Sequence, residues 1–204
     1  LFLKDTNGDD KVDERKVLFT GWGTYDTHAG PSNLRYGPDG WIYGMVGYSG
    51  FNGTVGAEKH QFRQGFYRFK PDGSKLEFLR SVSNNAWGVG FSEEGLIFGS
   101  TANGCPMVYL GIPNRYYEKV KGFSSAVLPS IAQSNQMYPI TQRIRQVDWH
   151  GGFTAAAGSS LYTARLYPKE YWNKTAFVAE PTGHLAATMI LQPNGTDFTA
   201  RYGW

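Results

Sequence analysis

Apolar positions come in short runs along this chain, and each run is broken by Gly, Pro, Asp or Asn. Runs rich in β-branched and aromatic residues between such turn signals predict strands. They are Asn33–Tyr36 and Trp41–Val46, then Gly65–Lys70 and Lys75–Leu79, then Trp87–Phe91 and Leu96–Gly99. Leu1–Leu3, Lys16–Thr20, Val108–Ile112, Arg143–Val147, Ser160–Ala164, Ala176–Ala179 and His184–Leu191 extend the series. Gly37-Pro38-Asp39-Gly40, Pro71-Asp72-Gly73, Glu93-Glu94-Gly95 and Pro193-Asn194-Gly195 are the turns. Proline pre-sets φ there, Asp bonds its own backbone and Gly accepts positive φ. Phe51–Gln64 is polar and glycine-rich and reads as a long loop. Pro113–Gly122 reads as a short helix or an excursion loop.

The repeating unit is a polar loop, a strand, a P-D-G-like turn and a strand. Such a series predicts an all-β sandwich, barrel or propeller. At roughly 45 residues per blade of four antiparallel strands, residues 1–204 make about four blades. The chain opens and closes in what read as strands, so the expectation is a segment of a larger propeller.

Composition narrows the class. The 204 residues include 26 glycines, with 16% aromatic and 18% charged residues, a mix that suits strands and turns. The net charge of +3 is scattered without a basic stripe, so neither nucleic acid nor an anionic membrane is implied. No apolar run approaches the ~20 residues of a membrane-spanning helix. Cys105 is the only cysteine, which excludes an internal disulfide, a CxxC pair and a thiolate zinc cluster. Asn52, Asn173 and Asn194 begin N-x-[ST] triplets.

Two kinds of loop carry candidate chemistry. The acidic loop 5–14 places Asp5, Asn7 and Asp9 at alternate positions, followed by the Lys11 carbonyl and Asp13. That spacing curls oxygen ligands around a hard cation and points to calcium. Two positions depart from the usual pattern: Asp10 stands where Gly is expected, and Lys16 where Glu is expected. The other kind is an acid and a histidine just before a strand: Asp26 with His28, and Asp148 with His150. His28 has the chemistry of a general base, and Asp26 could orient it. His150, followed by two glycines, reads equally as a funnel residue or a tight turn.

The order of motifs carries a resemblance. H-x-G, then L-x-x-G-P-D-G-x-I-Y, Y-R-F-x-P-D-G and N-N-x-x-G-V-G-F-x-x-x-G resembles glucose/sorbosone dehydrogenase-like six-bladed propellers, which use pyrroloquinoline quinone (PQQ) and calcium. Residues 5–44 and 150–185 look similar to the propeller of large secreted bacterial proteins that also carry a c-type cytochrome domain. The resemblance implies a sugar or alcohol dehydrogenase in the periplasm or outside the cell. Its electrons would pass to haem c on a part of the protein not present here. His28 matches the family's catalytic histidine one residue out of register. Asn84 stands at the family's arginine, Asn85 keeps its asparagine, and Asn84, Asn85 and His150 are the candidate cofactor-pocket residues. The family's later lysine falls near Pro181 and Thr182, so two positive charges that would face a tricarboxylate are missing. Arg143, Arg145 and His184 are candidate replacements. The alternative is a non-catalytic, calcium-stapled propeller that binds carbohydrate or a protein.

Overall fold

A computed structural model describes residues 1–145 and 150–203. The chain is all-β, built of antiparallel meanders. β1 (Phe2–Lys4) and β2 (Glu14–Lys16) form a ribbon around the acidic loop. β3 (Pro31–Tyr36) and β4 (Ile42–Val46) start the first sheet. A second ribbon, β5 (Phe51–Val55) and β6 (Glu58–Phe62), interrupts it before β7 (Gly65–Phe69) and β8 (Leu76–Ser81) complete the order β3-β4-β7-β8. β9 (Ala86–Phe91), β10 (Ile97–Thr101) and β11 (Val108–Leu110) form the second sheet. After a single helical turn, α1 (Asn114–Tyr117), the chain reaches the third sheet. It is β12 (Ala157–Leu161), β13 (Thr175–Glu180), β14 (Leu185–Asn194) and β15 (Asp197–Tyr202), in that order.

The sheets stack face to face as propeller blades do. Tyr43, Met45, Phe66, Leu79, Val89 and Val108 fill the layer between the first and second sheets. Phe98, Met107, Val178, Met189 and Leu191 fill the layer between the second and third. Tyr67, Phe69 and Leu76 point the other way, under the β5–β6 ribbon and Trp22. Both faces of β7 are therefore buried, which is why GFYRF carries aromatics on each side of its alternation. Each fully buried large side chain contributes about 1.5–3 kcal/mol. The segment around 128–132 stitches the stack together by bridging Val82 of the first sheet's edge, Val108 of the second sheet and Ala200 of the third.

The first strands of the three sheets lie side by side. The hydroxyl of Ser32 donates to the Ala86 carbonyl at 3.3 Å, and the Asn33 amide donates to the Trp87 carbonyl. Gly88 abuts Gly158 and Ser159, and Gly90 abuts Ser159 and Ser160. A Cβ at Gly90 would overlap the Ser159 carbonyl oxygen, so glycine permits this backbone approach. Contacts advance in the same sense along each pair, so β3, β9 and β12 run in one direction. The loops that enter them share one end of the stack. The GPDG turn lies at the opposite end. There Asp39 Oδ2 accepts from Arg68 at 2.7 Å and from the Tyr43 hydroxyl at 3.0 Å.

Some expectations need correction. Phe51–Gln64 is a ribbon rather than a loop, with Phe51, Val55 and Phe62 turned to the core and Asn52 and Thr54 to solvent. Its glycines and charges hid a one-sided alternation. Lys16–Thr20 pairs only as far as Lys16; Leu18 and Phe19 pack on the core without joining a ladder. β12 starts at Ala157 and ends at Leu161, earlier than the Ser160–Ala164 expectation. Arg143–Ile144–Arg145 forms no strand, and Gln146 and Val147 lie outside the described residues.

Candidate functional site

Asp26 caps a single 3-10 turn, Thr27–Ala29, and its Oδ1 accepts the His28 backbone N–H at 2.9 Å. The cap bends the chain back, so His28 Nδ1 lies 3.4 Å from the same carboxylate oxygen. The His28 side chain is 78% exposed and that of Asp26 only 26%. The hydroxyl of Tyr48 donates to Asp26 Oδ2. That hydrogen bond, followed by the His28 N–H, holds the Asp26 carboxyl below the ordinary range and pushes the Tyr48 phenol up. Asp26 is therefore an anion at neutral pH, and the proton stays on Tyr48.

Asn85 joins this cluster through the backbone. Its Oδ1 accepts the Tyr48 N–H at 2.9 Å, while Asn84 Oδ1 accepts the Asn85 N–H at 2.7 Å. The close approach depends on Gly47. A Cβ there would overlap Asn85 Oδ1 and stand 2.7 Å from the Ala29 Cα. Gly47→Ala is expected to cost roughly 1–3 kcal/mol in denaturant unfolding, because the Asn85 amide on one side and the Ala29 backbone on the other must move. A variant as stable as the parent would show that the loops do not meet here.

The remaining sequence candidates sit at the same end or away from it. The Asn85 carbonyl accepts the Ala102 N–H at 2.7 Å, and Gly104 N–H donates to the Phe153 carbonyl at 2.8 Å. That links the Asn85 loop to the one holding His150. His150 is exposed, and among the described residues no hydrogen bond or ion pair joins it to His28 or Asn85. Asp148 and Trp149 lie outside the described residues. His184 contacts the Thr141 hydroxyl through Nδ1 at 2.8 Å, on an exposed turn. Cys105 is buried, and burial pushes its thiol up, which leaves it unreactive.

A residue that sequence reasoning missed organises this end. Glu180 is fully buried. Its Oε2 accepts the N–H groups of Thr154 and Ala155 at 3.0 and 2.9 Å, and Oε1 accepts that of Thr182 at 3.1 Å. The Thr154 hydroxyl lies 3.3 Å from Oε1. A glutamate ending a strand before Pro-Thr-Gly carries no local signal of this role, since Thr154 is 26 residues away.

The acidic loop closes on itself. Asp5 accepts the N–H groups of Asn7, Gly8 and Asp10 at 3.0, 2.7 and 2.8 Å, and Asp13 accepts Thr6 at 2.8 Å. Asn7 and Asp9 bond the N–H groups two residues on, those of Asp9 and Lys11. Among the described residues no group of three His, Cys, Asp or Glu side chains stands where one metal ion would touch all of them. Each oxygen that accepts an N–H in this loop keeps a second lone pair. The N–H of Gly8 first, then those of Asp10 and Asn7, lower the Asp5 pKa, and the N–H of Thr6 lowers that of Asp13. Depressed carboxylate pKa values stabilise the fold above about pH 4, and that contribution is lost as pH falls through the folded values. Asp5→Ala is expected to lower the Tm at pH 7 in EGTA as well as in calcium, with the gap narrowing as pH falls through the lowered folded value. A deficit confined to calcium would establish the ion.

PQQ meets a similar test. Asp26, His28, Tyr48 and Asn85 present one carboxylate and no arginine or lysine. Among the described residues, Arg68, Arg115 and Arg165 are committed to Asp39, Glu77 and Glu93. A tricarboxylate needs cationic partners, so this cluster does not fit PQQ.

Comparisons with known proteins place the chain. No curated protein matches it. A solved structure, the PQQ-bound form of an aldose sugar dehydrogenase from Streptomyces coelicolor, is similar at 17% identity and a TM-score of 0.47, over 84% of this chain. The chain spans about half of that structure, 48% of its length. The model of the family described as a domain of unknown function, DUF7133, matches residues 1–203, and the chain belongs to that family.

Proposed function

We propose that this chain supplies the substrate-handling face of a sugar- or alcohol-oxidising propeller, with His28 as the base that takes the hydroxyl proton. One observation carries the reading. His28 is exposed while its Nδ1 faces the anionic Asp26, which leaves the other ring nitrogen for a substrate hydroxyl. Asp26 fixes the ring and stabilises the charge it gains, and Tyr48 fixes Asp26. The sequence resemblance supports the wider reading: a quinone such as PQQ as electron acceptor, held by cations outside this cluster, and a c-type cytochrome domain beyond it, in a periplasmic or secreted protein.

A second reading is a carbohydrate- or protein-binding propeller without redox chemistry. The lack of an arginine or lysine within the Asp26–His28–Tyr48–Asn85 cluster favours it. Reduction of an electron-accepting dye, measured with a panel of sugars and alcohols and with or without added PQQ, separates the two. Sugar-dependent reduction supports the dehydrogenase reading. Sugar binding by calorimetry with no reduction under either condition supports the binding module.

A further inference from the structure

A cavity of about 350 Å³ opens beside the Asp26–His28 pair and shares Tyr48 with it. Its volume suits a small polar ligand. Tyr25 lines it with its ring 5.9 Å from that of Tyr48, and the Tyr25 hydroxyl donates to the Tyr48 carbonyl at 3.2 Å. Tyr25 is 71% exposed, so its ring is available for stacking. Asn52 and Gln61 line the cavity from directly opposed positions on β5 and β6. Neither side-chain amide has a hydrogen-bond partner among the described residues, whereas the hydroxyls of Ser49 and Tyr48 are already committed to Asp26.

Arg63 is the one charged residue among those that line the cavity, and it is exposed. Among the described residues no carboxylate pairs with it, unlike Arg68, Arg115 and Arg165. A guanidinium offers a planar fork that matches a carboxylate. An aromatic ring, two amides and an unpaired guanidinium around one cavity form a donor set for a sugar that carries an acid group. We propose that this cavity binds an acidic sugar, of the uronate class, with its carboxylate on Arg63, its ring against Tyr25 and its hydroxyls on Asn52 and Gln61. The proposal rests on reading this face as a sugar site, and it adds the substrate class.

Calorimetry on the full chain with sodium glucuronate, glucose and sodium acetate tests it. Glucuronate is expected to bind at least about tenfold more tightly than either other probe, and the advantage over glucose should shrink as salt rises. Arg63→Gln, at an exposed position that leaves the fold intact by circular dichroism, should bring glucuronate down to the level of glucose. Tyr25→Ala should weaken both sugars. Equal binding of glucose and glucuronate by the parent protein would overturn the proposal, as would acetate binding as tightly as glucuronate, or Arg63→Gln keeping the preference. Dye reduction measured in parallel separates this from the His28 reading. Glucuronate binding without turnover leaves the acidic-sugar site standing and sinks the base assignment. Turnover of neutral sugars with no acid preference does the reverse.

Discussion

Glu180→Ala is expected to destabilise the protein by roughly 3 kcal/mol or more, the largest stability effect of any single polar side chain here. The carboxylate is fully buried, and it accepts three backbone N–H groups from Thr154, Ala155 and Thr182. Removing it strands those donors away from water, and each unsatisfied buried donor costs about 1–3 kcal/mol. Glutamine should rescue only part of the loss, because its oxygen can take the Thr154 and Ala155 N–H groups while its nitrogen would face that of Thr182. The damage should concentrate where the chain enters β12, at the end of the stack that holds the candidate site. Denaturant unfolding with hydrogen exchange at Thr154 and Ala155 measures it. A loss under about 0.5 kcal/mol would show that these donors find other partners, as an ordinary surface change would.

His28→Ala is expected to lower sugar-dependent acceptor reduction by about 10²–10⁴-fold, the range that a positioned general base supplies. Its fold should stay intact, because the side chain is 78% exposed and the bond to Asp26 Oδ1 that shapes the turn comes from the backbone N–H. Asp26→Asn separates base from orienter. It keeps the shape of the cap, yet removes the charge that faces the imidazole and accepts the Tyr48 hydroxyl. A smaller fall in kcat, with an altered pH profile, is expected there. Because Tyr48 holds the Asp26 carboxyl low, Asp26 should stay charged under mildly acidic conditions, and the acid limb of the profile should not report it. Undiminished reduction in His28→Ala would move the chemistry to another residue. The His150 loop, at the same end of the stack, would be the next to test.

Local chemistry made part of this molecule legible. The P-D-G-like turns and the strands beside them follow from φ restrictions and a period-2 alternation that act within a few residues. Asp26 and His28 stand two residues apart, so an Asx cap brings them together whatever surrounds them. The acidic loop is equally local: its alternate oxygens accept the loop's own N–H groups. Tertiary structure decided the rest. Glu180 meets Thr154 across 26 residues, and Tyr48 meets Asn85 across 37, through a gap that only glycine at position 47 leaves open. Arg63 gained its cavity because a glycine-rich stretch folded as a ribbon over the first sheet. Composition and period report which groups want burial or a partner. Which partner each finds depends on chain closure over distances where no residue's own preference reaches.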